Sequence, residues 1–147
     1  RARATLARQQ DNEAPRALPT PSGEQRALLD AYVHAWETHD VDGFVALLTD
    51  DAILSMPPWR EWYRGRDAIG RFFTWTARPG GSGPFRLLPT AANRQPAFAF
   101  YSRRDGSAWR AHSIQLLTLQ DGAISHMTSF VDPLLFAAFG CANELDV

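Results

Sequence analysis

The sequence predicts an α+β fold in which a strongly curved sheet wraps around N-terminal helices. Helical spacing of apolar residues is confined to the first half of the chain, and strand-like segments fill the second half. The last strands are joined by Asp105-Gly106 and Asp121-Gly122, dipeptides typical of short hairpin turns. Helices followed by an antiparallel meander favour a cone, with an apolar pocket between the long helix and the concave sheet face.

Composition indicates one globular domain. The 147 residues are 45% hydrophobic and 21% charged, with a formal net charge of −1, which excludes general polyanion binding by the whole chain. The apolar runs are far shorter than the roughly 20 residues of a membrane span, so no membrane association is expected. Cys141 is the single cysteine and cannot form an internal disulfide, which favours the cytoplasm.

Four regions follow one another along the chain. Residues 1–10, "RARATLARQQ", have the composition of a helix end, and residues 11–21 contain three prolines and read as a linker. We expect the folded domain to span residues 22–140 and a short tail to cover residues 141–147. The opening stretch carries three arginines and no initiator methionine, which suggests the end of a larger helical module.

The first half of the chain carries three helical segments. Ser22 and Gln25 have the spacing of a capping box, with "TP" just before them an equally good start, and the first helix ends near His39. "DVDGFVALLTDD" predicts a second, short helix. "RDAIGRFFTWTA" predicts a third, which follows a turn at Gly65.

The predicted strands fall into two groups. "AILSM" and "WYRG" are short strands that precede the third helix. "FRLLPTAA", "PAFAFYSRR", "SAWRAHSIQLLTLQ" and "AISHMTSFV" are the later strands, and "DPLLFAAFG" predicts a closing helical turn that begins at Asp132-Pro133. The intervening "RPGGSGP" lacks the context of a phosphate-binding loop and is expected to be a mobile loop at the pocket mouth.

The segments "LLDAYVHAW", "DVDGFVALLTDDAILSMPP", "WYRGRDAIGRFF" and "LTLQDGAISHMTSFVDPLLFAAFG" resemble a SnoaL-like domain of the nuclear transport factor 2-like superfamily. The resemblance covers about residues 21–140 and implies the cone fold. It leaves the function open, because this fold hosts enzymes, binding modules and scaffolds. Relatives of this fold often dimerise through the convex sheet face, so a homodimer is also expected.

A narrower resemblance concerns function. "MPPWREWYRGRDAIGRFF" and "FVDPLLFAAFG" are similar to the C-terminal domain of actinobacterial extracytoplasmic-function sigma factors, and "RARATLAR" resembles the end of their promoter-reading helix. The resemblance implies a regulatory domain whose partners are the RNA polymerase core and sigma regions 2 and 4. Promoter DNA would be bound by the parent protein, with Arg1 and Arg3 contacting phosphates.

The resemblance to the nuclear transport factor 2-like superfamily allows a comparison with the catalytic residues of its enzymes. Steroid isomerases of this fold use a tyrosine on the first helix, an aspartate base after the first strand and a protonated aspartic acid on a later strand. Tyr32 matches the tyrosine, but the two acidic positions hold Met56 and Gln115. A thioether takes no proton and an amide does not titrate, so the resemblance argues against this route. The alternative of a cyclase, isomerase or hydrolase for a polycyclic or terpenoid substrate stays open.

Other candidate catalytic residues are few. His112, His126 and Asp132 lie on or after the late strands, where SnoaL-type cyclases carry an aspartate and a histidine. His112 and Gln115 are three residues apart, so a regular strand would point them to opposite faces. Asp132 precedes a proline and is better explained as a cap. No metal site or cofactor is expected, because no cluster has metal-ligand spacing.

The aromatic residues admit two interpretations. Most of them suit core packing, and this is favoured for Phe72 and Trp36. The alternative is a largely apolar ligand pocket with a few polar groups. Its predicted lining is Tyr32, Trp36, Met56, Trp62, Gln115 and Met127. "PPWREWYRG" carries too many aromatic rings to be wholly buried and is a candidate protein-docking surface.

Overall fold

The computed structural model describes residues 20–92, 94–104, 106 and 108–146. The helices are α1 (Gly23–Thr38), α2 (Val41–Ala46), α3 (Arg66–Thr76) and a 3-10 helix (Pro133–Phe139). The strands are β1 (Leu48–Ser55), β2 (Trp62–Arg64), β3 (Phe85–Ala92), β4 (Gln95–Ser102), β5 (Trp109–Gln120), β6 (Ala123–Phe130) and β7 (Glu144–Leu145). The expectations for residues 1–10 and most of the linker lie outside the described residues.

Helix α1 has both ends specified by its sequence. Ser22 Oγ accepts a hydrogen bond from the Gln25 backbone N–H, and the Gln25 side chain accepts one from the Ser22 N–H, so the predicted capping box is confirmed. The helix ends at His39, which adopts a left-handed conformation with φ 55°. Its buried face carries Tyr32 and Trp36, which places two large aromatic rings at the centre of the domain.

Helices α2 and α3 are fixed by local contacts. Asp40 caps α2 by accepting a hydrogen bond from the Gly43 N–H, and a Cβ at Gly43 would collide with that carboxylate. Helix α3 begins after Gly65, whose φ of 86° suits glycine. Arg66, the first residue of α3, donates two hydrogen bonds to the Leu48 carbonyl and joins this helix to β1.

The strands form one mixed sheet in the order β2-β1-β6-β5-β4-β3, with β7 paired to β5. Strands β1 and β6 are parallel, and the other neighbouring pairs are antiparallel. The predicted α+β fold and late meander are confirmed. Asp121 and Gly122 make the predicted two-residue turn with positive φ angles of 51° and 76°. The β4–β5 connection spans residues 103–108 and is longer than a two-residue hairpin.

The main core lies between the helices and the concave face of the sheet. Trp36 is 3% exposed, and its ring meets four phenylalanine rings edge-on at centroid distances of 4.6–5.6 Å. The four partners are Phe44, Phe73, Phe85 and Phe100. This aromatic cluster joins α1, α2 and α3 to strands β3 and β4, so it holds the two layers of the fold together.

A second, smaller core lies on the convex face of the sheet. Phe136 of the 3-10 helix is completely buried and packs edge-on against Tyr101 at 5.3 Å. The Tyr101 hydroxyl donates a hydrogen bond to the Ala142 carbonyl, and the Ala111 N–H donates one to the Asn143 carbonyl. The expected tail therefore contains a strand, β7, and it covers part of the convex face. Within the described residues no helix is long and apolar enough to cross a membrane.

Candidate functional site

A cavity of about 600 Å³ lies between the concave face of the sheet and helices α1 and α3. Its deep wall is largely apolar, and five residues from α1, the β1 end, β3 and β4 form it. These are Trp36, Leu54, Met56, Phe85 and Phe100. A cavity of this size and character suits a small organic molecule.

The mouth of the cavity is aromatic and charged. Trp59 and Trp75 are about half exposed, and both line the cavity. Glu61 and Arg71 also line it and are exposed, so the formal charges at this site are of opposite sign and in contact with solvent. Ser82 of the "RPGGSGP" loop contributes to the lining, which places this loop beside the opening.

The structure places the six residues predicted to line the pocket in different environments. Trp36, Met56 and Gln115 lie on the cavity wall. Tyr32 is fully buried behind the wall and contacts Gln115. Trp62 and Met127 are not among the residues that line this cavity. Trp62 lies on the edge strand β2 and is 60% exposed, whereas Met127 is completely buried in the core.

Tyr32 and Gln115 form a buried polar pair at the deep end of the cavity. The Tyr32 hydroxyl donates a hydrogen bond to the Gln115 Oε1 atom. Burial raises the pKa of Tyr32 well above its ordinary value of 10.0, so the hydroxyl keeps its proton and remains a donor. Because this bond occupies the amide oxygen, the amide nitrogen of Gln115 is left for other partners. It makes no hydrogen bond with another described residue.

Two serines extend this polar region across the sheet. Ser113 lies two residues before Gln115 on β5, and Ser129 is directly opposite Gln115 in the pairing of β5 with β6. All three residues line the cavity and are nearly completely buried. We call Ser113, Gln115 and Ser129 the polar strip. Sequence reasoning missed both serines, although alternation from Gln115 could have identified Ser113.

His112 also lines the cavity, contrary to the expectation that it would face away from Gln115. Phe100 pairs with Ser113 while the next residue, Tyr101, pairs with Ala111, so His112 is an extra residue in β5. Such a bulge interrupts the alternation of side chains and turns the histidine inward. Its ring packs edge-on against Phe85 at 5.2 Å, and its Nδ1 atom lies 3.1 Å from the Ser113 hydroxyl oxygen.

Burial lowers the pKa of His112 to about 4, and the positive charge of Arg104 adds to this lowering. The imidazole is therefore neutral at pH 7. With Gln115 and the serines, it makes the deep part of the cavity polar but uncharged. This arrangement can donate and accept hydrogen bonds, and it offers no ionised group to a bound molecule.

Because His112 is neutral in the folded protein, we expect acid to destabilise the fold. The unfolded chain binds a proton near pH 6.5 and the folded chain only near pH 4, so stability is lost as the pH falls through this window. Between pH 7 and pH 4, we expect the free energy of unfolding of the wild-type protein to fall by up to about 3 kcal/mol more than that of His112→Gln. Urea unfolding between pH 7 and pH 4 measures this, with His34→Gln on the exposed face of α1 as the control. Equal acid sensitivity of wild type and His112→Gln would contradict it.

The remaining candidate residues lie elsewhere. His126 Nε2 is 3.3 Å from the Ser55 hydroxyl, and neither residue lines the cavity. Asp132 accepts a hydrogen bond from the Leu134 N–H, which confirms its expected capping role. Across residues 20–92, 94–104, 106 and 108–146, no group of three or more His, Cys, Asp and Glu is arranged to hold a metal ion.

Comparison with known sequences identifies the family. The SnoaL-like domain profile matches residues 29–127, about two thirds of the chain. The chain belongs to the SnoaL-like family. The matched region begins in α1 and ends in β6, so it contains the helices and most of the strands that enclose the cavity.

The SnoaL-like domain also has a curated relative that matches almost all of it. The chain is 34% identical over 145 residues to the ECF RNA polymerase sigma factor SigG of Mycobacterium tuberculosis. The alignment covers 99% of this chain but only 39% of the relative, and the same match is found in two strains. The chain thus spans about two fifths of the length of the curated relatives it matches.

Solved structures similar to this SnoaL-like domain agree on the fold. A nuclear transport factor 2-like protein of unknown function from Mesorhizobium loti has a TM-score of 0.63 at 18% identity, covering 78% of this chain and 96% of that one. A putative ketosteroid isomerase from Kribbella flavida has a TM-score of 0.56 at 24% identity, covering 74% and 78%. A putative polyketide cyclase from Sinorhizobium meliloti has a TM-score of 0.53 at 18% identity, covering 70% and 93%. At these identities the likeness shows the nuclear transport factor 2-like fold alone.

Proposed function

We propose that this SnoaL-like domain is the C-terminal regulatory domain of an ECF sigma factor. The observation that carries the proposal is the 34% identity with a sigma factor across 145 residues, which includes the stretch before the SnoaL-like domain. In this proposal the parent protein directs RNA polymerase to promoters, and residues 1–10 end its promoter-reading module, with Arg1 and Arg3 near DNA phosphates. The protein would act in the cytoplasm.

The cavity supplies a way to regulate such a protein. Trp59 and Trp75 line the cavity and are exposed at its mouth, so a bound molecule would contact the same rings that a protein partner can reach. Tyr63, Phe72 and Trp75 follow one another with ring centroids 4.9 and 6.1 Å apart, which links the mouth to α3. We propose that this aromatic mouth packs against sigma region 2 or 4 or the polymerase core, and that a small apolar ligand changes this contact.

Deletion of residues 21–147 from the full-length sigma factor tests the regulatory role. We expect promoter-dependent transcription in vitro to change at least about threefold, which corresponds to an interaction of about 0.7 kcal/mol. The Trp59→Ala, Trp75→Ala double variant should reproduce part of this change. Leu134→Ala, which removes a large exposed apolar side chain away from the cavity, is the control. Unchanged transcription after the deletion would refute the regulatory role.

An enzyme is the second candidate, and the position of His112 favours it. A neutral imidazole, with its Nδ1 atom 3.1 Å from the Ser113 hydroxyl oxygen, lies in the cavity. By resemblance, Met56 and Gln115 stand there at the base and the acid position, respectively, of related isomerases. Turnover of a polycyclic substrate that is abolished in His112→Gln but kept in His34→Gln would support an enzyme. Binding without turnover would support the regulatory domain.

A further inference from the structure

We propose that residues 16–19 of the linker, "RALP", bind back onto the domain in a second groove, with the Leu18 side chain as the apolar anchor. These residues precede the described part of the chain, which begins at residue 20. The proposal goes beyond the proposed function, because it concerns a contact within this chain. It requires neither RNA polymerase nor a ligand in the main cavity.

The second groove lies between the first turns of α1 and the β3–β4 hairpin, and its volume is about 460 Å³. It shares no lining residue with the main cavity. Grooves with an apolar, aromatic lining are the sites at which extended proline-rich segments bind. The apolar lining of this groove comes from α1, β3, β4 and β5, and consists of Leu29, Pro89, Pro96, Phe98, Leu117 and Leu119.

The linker enters the domain at this groove. Pro21, the last residue of the linker, is itself part of the lining, as is Gln25 in the first turn of α1. Leu18 is three residues before Pro21, so the Cα atoms of the two residues cannot be more than about 11 Å apart. Such a short connection gives the segment a high effective concentration at the groove. A weak contact is therefore enough to hold it there.

The composition of the linker singles out Leu18 as the anchor. It is the one Leu, Ile, Val, Met or aromatic residue between residues 6 and 28, and burial of a leucine side chain is favourable. Pro19 follows it directly, and a proline favours an extended conformation of the residue before it. Because this restriction is already present in the free segment, less conformational freedom is lost on binding.

A bound linker shortens the connection to the preceding segment. Residues 11–15 alone then join the groove to residues 1–10, and they span at most about 20 Å. The whole linker, residues 11–21, allows about twice this reach. Binding therefore holds residues 1–10 close to the β3–β4 hairpin.

Limited digestion with trypsin tests the proposal, because the chain carries two comparable cleavage sites. Arg16 lies in the segment proposed to bind, whereas Arg8 lies outside it, and neither is followed by proline. A synthetic peptide of residues 5–20 contains both bonds and gives their rates in a free chain. In the 147-residue chain we expect cleavage after Arg16 to be at least about fivefold slower than in the peptide, and cleavage after Arg8 to be nearly as fast.

Variants then identify the contact. Leu18→Ser should abolish the protection of Arg16, measured against a peptide with the same substitution. Leu119→Ala, which removes part of the groove lining, should reduce the protection as well. Leu116→Ala is the matched control, since Leu116 is on the same strand but packs on the convex face. If Leu119→Ala unfolds the domain, Leu18→Ser still decides, because Leu18 lies outside residues 22–140.

Nuclear magnetic resonance locates the segment directly. We expect nuclear Overhauser effects between the Leu18 methyl groups and the Phe98 ring, and the same protection of Arg16 at every protein concentration, because the contact is within one chain. The proposal is overturned by cleavage after Arg16 at the rate of the peptide, by protection that survives Leu18→Ser, or by the absence of these Overhauser effects. Protection that grows with protein concentration also overturns it, and assigns the groove to the linker of a second copy. None of these results depends on transcription.

Discussion

Trp36→Ala is expected to lower the free energy of unfolding by about 4 kcal/mol, the largest effect of any single substitution considered for the domain. Removing a buried tryptophan costs about 3–5 kcal/mol, because apolar contacts are lost and a void remains. Trp36 is 3% exposed and meets four phenylalanine rings edge-on, which adds to this loss. The side chain also forms part of the cavity wall.

Trp62→Ala is the matched control for this prediction. Trp62 is the same residue type but is 60% exposed on the edge strand β2, so its removal should change stability by less than about 0.5 kcal/mol. Urea unfolding followed by circular dichroism suits both variants, because it does not depend on tryptophan emission. Similar losses in the two variants would show that the aromatic cluster around Trp36 does not hold the layers together.

Phe136→Ala is expected to cost about 3 kcal/mol, although Phe136 lies far from the cavity. Its ring is completely buried against Tyr101 and holds the 3-10 helix on the convex face of the sheet. Without it, the hydrogen bonds from Tyr101 and Ala111 to the tail would be weakened, and the apolar surface of β4 and β5 would be exposed. We therefore expect the variant to self-associate more than wild type in analytical ultracentrifugation.

Leu134→Ala on the same 3-10 helix is the control, since Leu134 is 86% exposed and should contribute less than about 0.5 kcal/mol. If Phe136→Ala is as stable as Leu134→Ala, the packing of the 3-10 helix on the convex face does not stabilise the fold. The homodimer expected from the family stays a prediction. Part of the convex face is covered by the 3-10 helix and the C-terminal tail of the same chain. A dimer through this face would therefore have to use the strands that are left uncovered.

Much of the fold could be predicted because the relevant signals are local. The capping box at Ser22 and Gln25, the turn at Asp121 and Gly122, and the cap at Asp132 each depend on residues close together in the sequence. Helical and strand periodicities supplied the order of the elements for the same reason. Strand β7 was missed because two residues carry no periodic signal, and its pairing with β5 is a long-range contact.

The candidate site was only partly predictable. Gln115 was singled out by the resemblance to isomerases of this fold, but His112 was assigned to the wrong face because one extra residue in β5 reverses the alternation. Trp62 was expected in the pocket on its aromatic character alone, and its exposure follows from β2 being an edge strand. Ser129 is part of the site only through its register with Gln115 on the neighbouring strand.

The sequence by itself determined the family, the order and type of the main elements, and the absence of titratable groups at residues 56 and 115. These properties follow from residue identity and short-range spacing. Only the tertiary structure decided which side chains meet in the cavity, that Tyr32 contacts Gln115, and how the tail covers the convex face. The reason is that strand register, a bulge and long-range packing are set by contacts between residues far apart in the chain, which no local pattern encodes.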